Sequence, residues 1–392
     1  MPDPHLSRRR FGRGRSSFKL FLGLLGGSMI CVSAMAEESQ SNQVEAKPGS
    51  PSAGVIGLVL GTRDFLLATT PDGKEECPNG WVASDFEQWL AQFPTKEARQ
   101  DHLNRCGGTE YRGANCERTV FAPESITDPI PYREIEGGVS YGVNLDGTED
   151  GRETETTCAH ENFVHPDGAT GVDNQLYRFL GCLRNARSGA FRSHESERGG
   201  LRVVEHQKLR ILLEVRGVDN EQNDSDVDVF LYQSSDLLIT DMNSMPVPWQ
   251  TQTVDATIPA VQMHGRIEDG VLITEPADAY WEDLTWMAFE PAVLVRGSQL
   301  QLKLTETGAK GLRTGYVDAD SWWRTRRFLQ TWEFYNDSPP STYEALHRLA
   351  DGYKDPETGQ CTALSSAIEL DFTRVYIRHP DEDEKSELAS LK

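Results

Sequence analysis

The chain has 392 residues, with 61 acidic against 39 basic side chains and a formal net charge of −22. That charge repels phosphate backbones and argues against a nucleic-acid partner, while it suits bound cations or plain solubility. The length supplies one large domain or two medium ones with proper cores, and past residue 36 no segment is long and apolar enough to cross a bilayer.

Residues 1–36 read as an export signal. Arg8, Arg9, Arg10, Arg13, Arg15 and Lys19 form its basic region, Leu20 to Val32 a short apolar run, and Ala34-Met35-Ala36 a small-residue cleavage site. Cleavage after Ala36 leaves 33 basic and 60 acidic residues, a net charge of −27. The product belongs in the periplasm or outside a bacterial cell. A retained anchor is the alternative; lipidation at Cys31 is disfavoured because Ser28-Met29-Ile30 makes a poor lipobox. Ser7-Arg8-Arg9-Arg10-Phe11 resembles the twin-arginine export signal but departs from it at Gly12 and Arg13, so the general secretory route stays open. Residues 37–54 are a polar leader with little to bury.

Six cysteines follow: Cys77, Cys106, Cys116, Cys158, Cys182 and Cys361. An even count in an exported chain predicts disulfides, with the pairing left open. Residues 55–199, which hold all but Cys361, therefore read as a stapled, loop-rich region. Within it, Val55 to Leu67 alternates as one or two strands. Phe86, Trp89, Leu90 and Phe93 fall at helical spacing behind the capping pair Ser84-Asp85, and Lys96 to Arg105 continues as a second short helix. Gly137 to Thr157 is an acidic, glycine-rich loop, and Gln175 to Leu183 a short helix that buries Leu176, Phe179 and Leu180. Arg184, Arg187, Arg192, Arg198 and Arg202 make a basic strip, suited to an acidic partner or to the chain's own carboxylates.

From Leu201 the pattern is one of short strands. Val227, Val229 and Leu231 alternate with polar residues, Met263 to Ile273 forms a hairpin turning at Glu268-Asp269-Gly270, and Leu300, Leu302 and Leu304 alternate again. The expected fold is mainly β (α+β): a two-sheet β-sandwich or jelly-roll-like core in a domain over 200–380, with short helices in the stapled N-terminal part and near the C-terminus. No βαβ rhythm supports a doubly wound nucleotide-binding fold. Asp320 to Phe334 and Tyr343 to Tyr353 read as helices, Ala363 to Ile377 as a closing strand, and 381–392 as a disordered acidic tail. Trp322, Trp323, Trp332 and Tyr335 suit core packing or a sugar-stacking platform.

The stretch CAHENFVHPDG, Cys158 to Gly168, places two histidines among acidic residues. Zinc-protease helices set their histidines one turn apart. His160 and His165 are one residue too far apart for that, and Pro166-Asp167-Gly168 ends any helix. Zinc held by Cys158, His160, His165 and Cys182 competes with disulfide formation, which an oxidising compartment favours. The preceding NLDGTEDGRETET carries more signal, because Asp146-x-Thr148-x-Asp150-Gly151 matches the first half of an oxygen-rich calcium loop. The match stops there: Thr157 stands where the bidentate glutamate belongs. Asp146, Thr148 and Asp150, joined by Asp167 and Asp173, form the expected calcium site; a solvated acidic turn is the alternative.

Asp146-Gly147 followed by Pro166-Asp167-Gly168 and Gly171-Val172-Asp173-Asn174-Gln175 resembles a PDGxxGVDNQ-type motif in uncharacterised exported bacterial proteins. The resemblance implies one folded unit over about 140–182 and no chemistry. Neither a nucleophile elbow nor a phosphate loop is present. The expected function is thus an exported binding or structural protein of unknown ligand, supported by calcium. The competing class is an exported hydrolase with a dispersed metal or acid/base site around His160, His165, Asp167 and Asp173.

Overall fold

The computed structural model describes residues 54–64, 76–77, 90–91, 93–107, 112, 115–125, 131–183, 210–234, 236–242, 245–282, 292–326 and 338–380. The export signal, the leader up to Ala53, Phe86 and Trp89, the basic strip from Arg184 to Arg202, Trp332, Tyr335 and the tail from Asp381 lie outside them.

The strands in chain order are β1 (Val55–Asp64), β2 (Arg210–Arg216), β3 (Asp224–Ser234), β4 (Thr251–Thr253), β5 (Val261–Glu268), β6 (Val271–Thr274), β7 (Ala277–Glu282), β8 (Ala292–Leu304), β9 (Gly308–Asp318), β10 (Gly352–Lys354), β11 (Cys361–Arg374) and β12 (Tyr376–Arg378). Neighbours in the series β1-β2-β3-β5-β6-β8-β9-β11 pair antiparallel, and β1 also pairs with β11, from Leu58↔Arg374 to Asp64↔Glu369. The sheet therefore closes on itself. The core is a closed eight-stranded up-and-down barrel, which corrects the two-sheet sandwich expected from sequence. Sandwiches and barrels share the same period of two, so alternation shows which face is buried but not which strand lies alongside. The strand that closes the ring, β1, comes from the stapled N-terminal region, far in sequence from its partners.

Side chains of one parity fill the barrel. Ile56, Leu58 and Leu60 of β1, Leu213 and Val215 of β2, Val227 and Val229 of β3, Met263 and Ile267 of β5, Leu300 and Leu302 of β8, and Ile368, Leu370 and Phe372 of β11 belong to a single buried cluster. The hairpin between β5 and β6 turns at Asp269-Gly270, both at positive φ (51° and 73°), as a two-residue loop between right-twisted strands requires.

Four α-helices are described: α1 (Lys96–Cys106), α2 (Gln175–Leu180), α3 (Ala319–Arg326) and α4 (Pro339–Arg348). Thr95 caps α1, its Oγ1 accepting from the Ala98 N–H at 3.1 Å. Helix α4 begins earlier than Tyr343 because Pro339 and Pro340 are tolerated in a first turn, and it stops at Arg348 because Gly352–Lys354 joins the sheet as β10. Trp322 and Trp323 of α3 are buried in the main cluster, so they serve packing and offer no face to a sugar.

All six described cysteines are paired, as Cys77–Cys182, Cys106–Cys116 and Cys158–Cys361. This accords with the even count. The third bridge joins the acidic loop region to the start of β11, which is what places a site on the outer wall of the barrel.

Candidate metal centre

Residues 131–183 form a lobe seated on the outer face of β9 and β11. The Gln175 N–H donates to Ser365 Oγ at 2.9 Å, and the Ala367 N–H to Asn174 Oδ1 at 3.3 Å. Ser365 and Ala367 alternate with the inward Leu364, Ser366 and Ile368, so they face out of the barrel. The Cys158 N–H donates to the Asp351 carbonyl at 2.8 Å, and Thr157 bridges to Gly352. Inside the lobe, Phe163, Val172 and Tyr177 pack with Ile135 and the Cys77–Cys182 bridge.

Short bridges, Val143↔Asp173 and Phe163↔Val172, lay three loop segments side by side. Their effect is to bring Asp146, His160 and Asp173 together, with one ligand atom from each lying within 4.8 Å of the others. Asp173 is fully buried. Its Oδ2 accepts from the N–H groups of Leu145 (2.6 Å) and Asp146 (3.2 Å), and its Oδ1 lies 2.9 Å from His160 Nε2. His160 Nδ1 lies 2.8 Å from the Cys158 carbonyl oxygen. Both ring nitrogens thus face pure acceptors, an arrangement satisfied by the doubly protonated ring.

The charges follow from this packing. Burial disfavours the imidazolium, but the Asp173 hydrogen bond, then Asp351 and the Cys158 carbonyl, outweigh it and raise the His160 pKa to about 9. Asp351 lies on the barrel side, 3.8 Å from His160 Nε2 through its Oδ2. Burial raises its pKa to about 7, against the opposing pull of His160 and the Ser365 N–H. Tyr316, on the outer face of β9, is pushed far above its ordinary value by burial and by the carboxylates of Asp351, Asp173 and Asp146. One atom stands apart: Asp351 Oδ2 is buried and has no hydrogen-bond partner.

The residues expected from sequence divide. Asp146 and Asp173 belong to the centre. Thr148 supports it from behind, its Oγ1 donating to Asp146 Oδ2 at 3.0 Å and its N–H to Asp146 Oδ1 at 2.7 Å. Asp150 is exposed and lies 3.7 Å from Arg152. Asp167 pairs with His165 at 2.7 Å and accepts from the Ala169 N–H, apart from the three gathered ligands. Of the four residues in the dispersed-site reading, His160 and Asp173 therefore meet, while His165 and Asp167 pair with each other. Cys158 and Cys182 are in disulfides and offer no thiolate.

The expected calcium set left out His160, which the dispersed-site reading included, and neither reading named Asp351. Helix spacing excludes only the zinc-protease motif, and 158–165 is indeed not helical. Asp351 is remote in sequence and carries no local signal.

Gly151 positions His160. It sits at φ +62°, and a Cβ there would lie 1.9 Å from the His160 carbonyl oxygen. The Gly147 position has a similar φ (+77°) with nothing within 4 Å. Gly147→Ala should therefore cost roughly 1 kcal/mol of backbone strain, whereas Gly151→Ala should cost more than about 2 kcal/mol and displace His160. Urea denaturation of both variants checks this; equal losses would show that the Gly151 contact yields freely.

Beside the centre opens a cleft of about 770 Å³, bordered by Tyr132, His160, Glu161, Gln175, Arg178 and Arg348. His160 reaches it, with Asp173 behind. Fold and site together define a class: an up-and-down barrel carrying a disulfide-pinned lobe, with a buried imidazole–carboxylate centre at the seam. No protein-family model, curated protein or solved structure matches the chain.

Proposed function

We propose that the protein is an exported binding protein in which a divalent metal ion at Asp146, His160 and Asp173, with Asp351 as a further ligand, joins the lobe to the barrel. The observation that carries this reading is Asp351 Oδ2, a buried carboxylate oxygen without a hydrogen-bond partner beside three gathered ligand atoms. A buried, unsatisfied acceptor is costly, and a cation supplies what it lacks. Three disulfides fit an oxidising compartment. Among the described residues no helix is long and apolar enough to cross a membrane.

The donor set selects the ion. Once the ion displaces the Nε2 proton of His160 to solvent, an imidazole beside carboxylates suits zinc or manganese, whereas calcium prefers oxygen throughout. Calcium, suggested by the acidic loop in the sequence, would have to use Asp146, Asp173 and Asp351 with His160 turned away. The test is a chelator-treated sample titrated with zinc, manganese and calcium while melting is followed. Zinc or manganese should raise Tm by several degrees at saturation, His160→Ala should weaken binding at least tenfold, and Asp150→Ala should leave it unchanged. Should none of the three ions move the melting curve, the centre is a charge-paired lock between lobe and barrel and the metal reading falls.

A second reading, an exported hydrolase, draws on one observation: His160 borders the cleft. It requires metal-dependent turnover of a chromogenic ester or phosphoester that disappears in His160→Ala.

A further inference from the structure

Between β3 and β4, residues 236–242 and 245–250 form a two-limbed arm that lies over the outer wall of β1 and β2. The limbs pair: the Val247 N–H donates to the Ile239 carbonyl at 2.9 Å, and the Asp241 N–H to the Met245 carbonyl at 2.9 Å. One face of the arm is seated. Leu238 belongs to a buried cluster with Val59, Leu212 and Val375. Pro246 closes on Gly61, where a Cβ would lie 3.2 Å from the proline ring.

The opposite face is apolar and bare. Side chains alternate along an extended limb, so Leu237 and Ile239 point away from the side that buries Leu238. They are 65 % and 63 % exposed, Val247 across from Ile239 is exposed as well, and Met242 stands fully in solvent. Trp249 is exposed too. Its N–H donates to the Arg374 carbonyl at 2.7 Å, and its backbone is held at φ +67°, which is costly for so bulky a residue. Apolar side chains gathered on one surface, unlike scattered ones, mark an interaction site.

The backbone says what fits there. Ile239 and Asp241 direct their hydrogen-bonding groups at the other limb, so the alternate residues of 237–241 direct theirs outward. Among the described residues no hydrogen bond reaches the backbone of Leu238 or Thr240. Such an edge is a template for another strand, which takes up the backbone groups while its alternate side chains meet the exposed face.

Charge selects the strand. From residue 234 to 262 the sequence has Asp236, Asp241 and Asp255 and no lysine, arginine or histidine. Arg378, whose Nε donates to Thr253 Oγ1 at 3.2 Å, sits at the end of the arm away from Asp241. A second copy would bring the same aspartates against an arm of like charge, on a chain that already carries −22. A bilayer would have to take in the exposed Asp241 beside Met242. We infer that the 237–241 edge docks an extended segment of another polypeptide, apolar at alternate positions and carrying lysine or arginine where it passes Asp241. The surface lies on the wall of β1 and β2, apart from the metal centre on β9 and β11, and stands whether or not that centre holds an ion.

The test uses the mature, disulfide-bonded protein and a synthetic peptide that alternates valine and threonine between lysine ends, followed by calorimetry. The peptide should bind one to one. Glutamate in place of the lysines should weaken binding about tenfold, and N-methylation of alternate residues, which blocks the edge N–H groups of the peptide, should abolish it. Replacing both Leu237 and Ile239 by serine should weaken binding by at least about tenfold. The double variant should melt within about 1 °C of wild type, because both side chains are already in water. Thr240→Pro removes an outward N–H without altering the exposed face, and should weaken binding by a similar factor. Equal binding by wild type and the double variant, equal binding of lysine- and glutamate-ended peptides, or no binding at about 1 mM peptide overturns the inference. An arm-dependent dimer in sedimentation overturns it in favour of a second copy. Binding to phosphatidylcholine vesicles that the double variant loses overturns it in favour of a membrane.

Discussion

Replacing both Cys158 and Cys361 by serine is expected to lower the unfolding free energy by about 5 kcal/mol. The bridge closes a chain separation of 203 residues, against 10 for Cys106–Cys116. The chain-entropy account makes the restriction of the unfolded state grow with the logarithm of that separation, so the short bridge should contribute about 3 kcal/mol. The long bridge has a second consequence. It is the covalent tie between the lobe and β11, next to the Cys158 N–H bond to Asp351 and upstream of His160. Serine at both positions should therefore also weaken metal binding, whereas the Cys106/Cys116 double substitution should not. Urea unfolding of the two double variants, with and without metal, measures both effects. Equal losses from the two bridges would contradict the entropic argument. Thiol titration of the denatured, unreduced mature protein should meanwhile find none of the six cysteines free.

Asp173→Ala is expected to cost about 3–5 kcal/mol and to eliminate metal binding. The carboxylate is fully buried and serves three donors at once: the Leu145 and Asp146 N–H groups and the His160 ring. Alanine leaves two buried N–H groups and one buried imidazolium without their acceptor, and the penalty is mostly that of the partners stranded. Asp173→Asn separates shape from charge. The amide oxygen can still accept from one side, so it should lose roughly half as much stability, yet it provides no anionic ligand and should bind the ion as poorly as alanine. Urea unfolding paired with a zinc titration of both variants reads the two effects apart. A loss below about 1 kcal/mol for Asp173→Ala would mean that water replaces the carboxylate and the centre is not closed.

Local pattern was a good guide where the physics is local. The positive-φ demand of a two-residue hairpin makes Asp269-Gly270 recognisable as a turn, and it is one. The helical composition of Lys96 to Arg105 marks α1 to within a residue. The alternation of Leu300, Leu302 and Leu304 states which face of β8 is buried. The acidic segment around Asp146 advertised excess negative charge, and that charge does take part in the centre. By contrast, the residues grouped from sequence around one ion do not all lie together. Asp150 and Asp167 lie at the right chemical spacing, but they are drawn off by Arg152 and His165, whose proximity is also local.

Composition and short-range pattern by themselves determined that this is an acidic, cysteine-paired, mainly β protein. Turn geometry, capping and strand alternation depend on neighbours within a few residues, so they are written along the chain. Tertiary structure alone decided that the sheet closes, through β1 against β11. It also decided which cysteines pair and that Asp351 of the barrel faces His160 of the lobe. Each of these joins residues far apart in sequence, and the register of a closed sheet, not any local preference, sets what they meet.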